Sequence, residues 1–182
     1  MTPIYTDFND IPQMTEHPSY RVDCDWEYFI NVWIPEQVGE TELSPLQLNP
    51  DFQRGHVWTE EQQIAFVEFA LRGGLTGQHI YFNHPGWQRS YQGDFVLVDG
   101  LQRITAVRRF IHNEIPAFGT YCKDFKGRLP RRAQFVICVN KLKTRAEVLR
   151  WYIEMNDGGV VHSSEEIERV RKLMKKAEGG KL

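Results

Sequence analysis

Four consecutive apolar residues, Phe95-Val96-Leu97-Val98, run directly into Asp99-Gly100-Leu101-Gln102-Arg103, beyond which Ile104, Val107 and Ile111 recur at helical spacing. A run that is apolar on both faces predicts a strand covered on two sides and central in its sheet. The spacing that follows predicts an amphipathic helix from near Gln102, with Arg108, Arg109 and His112 largely outward. The join between them is a strand-to-helix turn. A carboxylate, a glycine, an amide and a guanidinium there set backbone N–H groups and a fixed positive charge at a helix N-terminus, which suits phosphate. Taken alone, the same residues also read as an ordinary turn with Asp99 as the helix cap.

The rest of the chain reads as a mixture of strands and helices in irregular order, hence an α+β fold rather than a doubly wound sheet. Tyr20 to Cys24 alternates as a short strand, and Asp25 is placed to cap a helix carrying Trp26, Phe29, Ile30 and Trp33, which Pro35 closes. Leu46-Gln47-Leu48 suggests a brief strand. Thr59 and Gln62 form a capping box for a helix with Ile64, Val67 and Leu71 on one stripe, ended by Arg72-Gly73-Gly74. His79 to Phe82 is a short strand, Asn83 to Gly93 a loop, and Gln134 to Val139 another strand. Two further capping boxes, Thr144 with Glu147 and Ser163 with Glu166, open the last two helices.

With 182 residues and 41% hydrophobic content, the chain can bury one real core. No apolar stretch approaches the roughly 20 residues of a membrane span, and the first twenty residues lack a secretory pattern, so a soluble cytoplasmic protein with no membrane partner is expected. Cys24, Cys122 and Cys138 are odd in number and far apart, which favours reduced thiols, with Cys138 in the core.

Charge is segregated along the chain. Residues 1 to 50 hold nine acids and only Arg21 as a base, whereas residues 103 to 150 hold twelve bases against Glu114, Asp124 and Glu147. The later segment either faces phosphate, with Arg108, Arg109, Arg131 and Arg132 as candidate nucleic-acid contacts, or forms solvated faces. Sequence leaves both readings open.

Motif chemistry narrows to two places. The six histidines show no HExxH pattern, and there is no GxSxG elbow and no Walker loop. What stands out is a pair of Gln-Arg dipeptides, Gln53-Arg54 within Phe52-Gln53-Arg54-Gly55-His56-Val57-Trp58 and Gln102-Arg103, each at the entrance of a helix. Donors to anionic oxygen are most effective at such positions. Trp58 and Val57 also read as a hydrophobic staple.

The order NPDFQRGHVW, a capped helix ending in RGG, a strand, FVLVDGLQR with its basic helix, and finally YIEMNDGGVVHSSEEI resembles the N-terminal domain of GmrSD-type modification-dependent restriction enzymes, from about Leu46 to Leu173. That family belongs to the ParB/sulfiredoxin-like superfamily and carries the signature DGQQR. The resemblance implies a small mixed sheet flanked by helices over residues 46–175, with an acidic segment, 1–45, packed on it and a flexible basic tail, 176–182. It also implies a nucleoside triphosphate as partner and a metal-dependent NTPase linked to DNA restriction or its control, with Mg²⁺ or Mn²⁺ as the ion. Asp99, Gln102 and Arg103 would be catalytic, and Asp99 would also hold the metal. Gln53, Arg54, Gly100, Arg103 and Asn156 would bind the phosphates, and Trp58 would stack on the base.

Leu101 stands where the signature has its first glutamine. If that amide orients water, nucleotide could bind here without turning over. The family's nuclease half would lie beyond Leu182, so the chain is expected to be a stand-alone member, bacterial or phage-encoded, or a part served by a protein partner. Two alternatives stand beside the NTPase: a DNA-binding or DNA-cleaving domain of the same fold, and a non-enzymatic regulator or antagonist of a multidomain restriction system.

Overall fold

The computed structural model describes residues 4–8, 11, 20–39, 45–53, 57–157 and 164–179, with the backbone alone for 156, 157 and 164–166. Four strands, β1 (Tyr20–Asp25), β2 (His79–Asn83), β3 (Val96–Asp99) and β4 (Gln134–Asn140), form one sheet in the order β1-β4-β2-β3. β1 is antiparallel to β4, β4 parallel to β2, and β2 antiparallel to β3. The fold is therefore α+β, built on a small mixed sheet flanked by helices.

Five helical segments cover that sheet. The first, α1, spans residues 26–38, and α2 is Glu60–Leu71, α3 Leu101–Ile111, α4 Arg145–Asp157 and α5 Ser164–Gly179. Period-two alternation in the strands divides the core in two. Ile80, Phe82, Leu97, Phe135, Ile137 and Val139 face α1, α2 and α3, meeting Trp26, Phe29, Val67, Val107 and Phe110. Val96 and Val98 face the other way, onto Val148, Leu149, Trp151 and Tyr152 of α4 and Ile167 and Val170 of α5. Each fully buried large apolar side chain contributes about 1.5–3 kcal/mol, so two such layers hold the sheet from both sides.

β3 is covered on both faces but is not central. It is the outermost of the four strands, and its outer edge meets an isolated bridge, in which Gln47 N donates to Phe95 O (2.8 Å) and Leu97 N donates to Gln47 O (2.9 Å). Apolarity on two faces reports the layers above and below a strand. It does not report its neighbours in the sheet.

The helix boundaries follow local chemistry. Asp25 Oδ1 accepts from Tyr28 N (2.9 Å) and caps α1. Pro35 does not close this helix. A π-turn, Phe29–Trp33, intervenes, and the α-helical continuation Ile34–Val38 places Pro35 in its first turn, where a missing N–H costs least, before Gly39 ends it. At α2 the capping box is complete, with Thr59 N donating to Gln62 Oε1 (2.9 Å) and Gln62 N donating to Thr59 Oγ1 (3.3 Å). Thr144 and Glu147 repeat it at α4. The Ser163–Glu166 box lies outside the residues described to that detail. Cys24, Cys122 and Cys138 are free thiols, and Cys138 is buried.

Candidate phosphate site at the β3–α3 turn

The pairing of β2 with β3 slips by one residue, so that Phe82 faces Leu97 while Tyr81 faces Asp99. A bulge of this kind re-aims a side chain. Strict alternation would send Asp99 to the face of Leu97. The bulge sets it opposite Tyr81 instead, on the face that carries Val96 and Val98.

Gly100 then turns the chain into α3. Its φ is +124°, and a Cβ there would stand 2.6 Å from Ile80 Cδ1, so only glycine fits. Gly100 is also the N-cap, with no side-chain cap bond. Asp99 is therefore not the helix cap, and its carboxylate is turned to another partner. Arg103, one turn into α3, pairs with Asp99 through Nη2 and donates from Nη1 to His79 O (2.8 Å) and Gly77 O (3.0 Å). The arginine side chain is 15% exposed and the aspartate 39%, so the pair is held from beneath and opens on the carboxylate side.

The glutamines of the two Gln-Arg dipeptides both bond backbone groups beside this turn. Gln102 Oε1 accepts from Val57 N (3.0 Å) and Trp58 N (3.1 Å), and Gln53 Nε2 donates to Leu97 O (2.6 Å). The two amides thereby tie Gln53 to β3, and Val57 and Trp58 to α3. Arg169 of α5 adds a second anchor, donating to Asp51 O (2.5 Å) and Phe52 O (3.0 Å), while Arg145 of α4 pairs with Asp51 (2.5 Å). Arg54, with Gly55 and His56, lies outside the described residues, as do residues 158–163. Asn156 is in the last turn of α4, and its side chain is likewise outside the description. The Trp58 ring packs against Phe66 at 5.5 Å between centroids.

The sheet aligns with Asp99 residues that no motif marks as part of a site. Register aligns Arg21 with Cys138, Cys138 with Tyr81 and Tyr81 with Asp99, one row across all four strands. His79 follows on β2, with its ring stacked on Tyr81 at 6.0 Å. Burial, then the guanidinium charges of Arg21 and Arg103, hold the His79 imidazole below its usual range. Burial likewise raises the Tyr81 hydroxyl and the Cys138 thiol, keeping both neutral. The i, i+2 placement of His79 and Tyr81 was visible as strand alternation. Their alignment with Arg21 and Asp99 depends on strand pairing, which has no local signal.

Of the candidate nucleic-acid contacts, Arg108, Arg131 and Arg132 are exposed. Arg109 is not an outward base. Its guanidinium bonds Glu60 (2.8 Å), Glu114 (3.2 Å) and Gln63 Oε1 (2.9 Å), tying the start of α2 to α3. The helical stripe puts Arg109 near the rim of the buried face, where the packed α2 supplies acids. Among the described residues there is no group of three or more His, Cys, Asp or Glu side chains that could hold a metal ion. No helix among them is long and apolar enough to cross a membrane.

Residues 39–134, more than half of the chain, match the family described as GmrSD restriction endonuclease, N-terminal domain. The match contains Gln53, His79, Tyr81, Asp99, Gly100, Gln102 and Arg103, and leaves Arg21, α4 and α5 outside it. No curated protein and no solved structure matches the chain. The chain belongs to the family of GmrSD restriction endonuclease N-terminal domains.

Proposed function

We propose that this domain binds nucleoside triphosphates at the β3–α3 turn and hydrolyses them with a divalent ion, in the service of DNA restriction or its control. The observation that carries the reading is the bulge-directed Asp99, held by a guanidinium that is itself anchored on two backbone carbonyls at the mouth of α3. Such a group is preorganised. It does not need to reorient when charge builds on a transferring phosphoryl group, and one preorganised donor contributes roughly 3 kcal/mol.

Mg²⁺ or Mn²⁺ fits this residue set in one way. Mg²⁺ commonly takes one or two carboxylates and completes its shell with waters and substrate phosphates, so Asp99 suffices if the ion arrives with the nucleotide. The ion would neutralise phosphate charge. Gly100 lets the backbone approach, the α3 N-terminus faces anionic oxygen, and Arg54 is positioned in sequence to add a second guanidinium beside Gln53. Gln102 Oε1 accepts from Val57 N and Trp58 N, so in this reading Gln102 also holds Val57 and Trp58 beside the turn.

The test is phosphate release from each of the four NTPs with Mg²⁺ or Mn²⁺, alongside thermal shifts with the same ligands. Wild type is expected to bind and release phosphate. Asp99→Asn, which keeps an acceptor for Arg103, is expected to lose about a hundredfold in rate. No release with any NTP, or equal release from the variant, overturns the hydrolytic part, and no thermal shift overturns binding as well.

A second reading rests on the exposed bases Arg108, Arg131 and Arg132. They suit contact with a nucleic-acid backbone, and such contact gives affinity that falls steeply with salt. A gel shift with a flat salt dependence and no nicking of plasmid overturns it.

A further inference from the structure

We infer that the site does not end at the β3–α3 turn but continues across the sheet face to β1, and that Arg21 and His79 form a subsite for the far end of an oligophosphate chain. The inference rests on the nucleotide-binding reading above and gives it a length: the preferred ligand carries several phosphates in a row.

The first observation is register. Arg21, Cys138, Tyr81 and Asp99 occupy one row over β1, β4, β2 and β3, and Asp23, Val136 and His79 occupy the next. Neighbouring strands stand about 5 Å apart, so β1 and β3 are separated by about 15 Å of sheet, with His79 on β2 between them. A single phosphate at Asp99 and Arg103 would not reach β1. A chain of three, met halfway by the long Arg21 side chain, would.

The second observation is charge. Arg21 is exposed and has no ion-pair partner among the described residues, while Arg103 is pinned by the carbonyls of Gly77 and His79. The charged groups that act on His79 are Arg21 and Asp23 from β1 and Arg103 from α3, with Tyr81 stacked on its ring, and Cys138 and Asp99 beside Tyr81 in the next row. With Cys138 and Tyr81 neutral and Asp99 paired to Arg103, the half of the face nearest β1 presents Arg21 and the imidazole, and among the described residues Asp23 is the acid that acts on that ring. An anion entering between Arg21 and Arg103 meets the guanidinium charges that act on His79 and takes a hydrogen bond from its ring.

The third observation is openness. α4 meets this face at Tyr81, where Trp151 packs edge-on at 5.9 Å. His79, Arg21 and Asp23 keep solvent access. Arg21 precedes the matched residues 39–134 and is not carried by the family match, whereas His79 lies within it.

Calorimetric titration with ATP, inorganic triphosphate and AMP separates the possibilities. Wild type is expected to bind ATP and triphosphate more tightly than AMP. Arg21→Ala and His79→Gln should each weaken ATP and triphosphate about tenfold and leave AMP within about twofold, while Arg21→Lys retains most of the affinity. Arg89→Ala, at an exposed position on the loop after β2, should change nothing. If ATP binds but Arg21→Ala leaves it unchanged, or weakens AMP equally, the extended subsite is wrong and the turn-centred reading stands. If wild type binds none of the three, both fall together. The affected side chains are at least partly exposed, so a changed thermal midpoint of the unliganded variants is not expected, and binding is the readout.

Discussion

At the scale of single residues, the candidate site is built from side chains whose first duty is to backbone groups. Gln102, Gln53 and Arg103 each bond main-chain atoms of a distant segment, and Gly100 is required by an ångström-scale contact. Gly100→Ala is expected to cost roughly 2–4 kcal/mol, since it adds a strained positive φ to an overpacked contact with Ile80, and urea unfolding would measure it. Leu101 is a different case. It packs against the core on the α1–α3 side, whereas the bulge puts Asp99 on the opposite face. A glutamine at 101 would lie away from Asp99. Leu101→Gln is therefore expected to leave phosphate release within about twofold while lowering stability by about 1 kcal/mol, and a large rise in turnover would show the side chain reaching the site.

At the scale of elements, the caps and stripes made the helices readable, because a helix start is decided within four residues. Thr59 with Gln62 and Thr144 with Glu147 are such cases, and both boxes are formed. The α1 segment was less legible, since a π-turn shifts its bonding and lets Pro35 sit inside a helix that continues to Val38. α5 has a role that no local pattern announced. Arg169 holds the carbonyls of Asp51 and Phe52, and so fixes the approach to Gln53. Arg169→Ala is expected to speed hydrogen exchange at Gln53 and its neighbours while the centre of α2 stays protected. Uniform exchange across both would show that α5 does not anchor this loop.

For the molecule as a whole, stability should be bounded on both sides of neutral pH. His79 and the buried His84 titrate below the ordinary imidazole value of 6.5, chiefly because burial disfavours the charged ring. The unfolded chain then takes up protons first as pH falls through 6.5, so stability present above that pH declines below it. Cys24 behaves oppositely, its thiol pushed up from 9.0 to about 11 by burial and by Asp25. Above pH 9 the unfolded thiol ionises first and stability declines again. A urea midpoint that is flat from about pH 5 to 7 would contradict the first limb, and His84→Gln should reduce its slope.

What the sequence determined by itself was local: the helix starts, the two-sided burial of β3, the glycine that turns it, and the placing of Asp99 and Arg103 in one strand-to-helix turn. Those depend on residues a few positions apart. The tertiary structure decided the order of the strands, the face on which Asp99 emerges, the binding of Arg109 to Glu60, and the row from Arg21 to Asp99. Each of these depends on pairing between segments tens of residues apart. A one-residue bulge is enough to reverse a side chain's face, and packing of whole layers sets it, not the residues beside it.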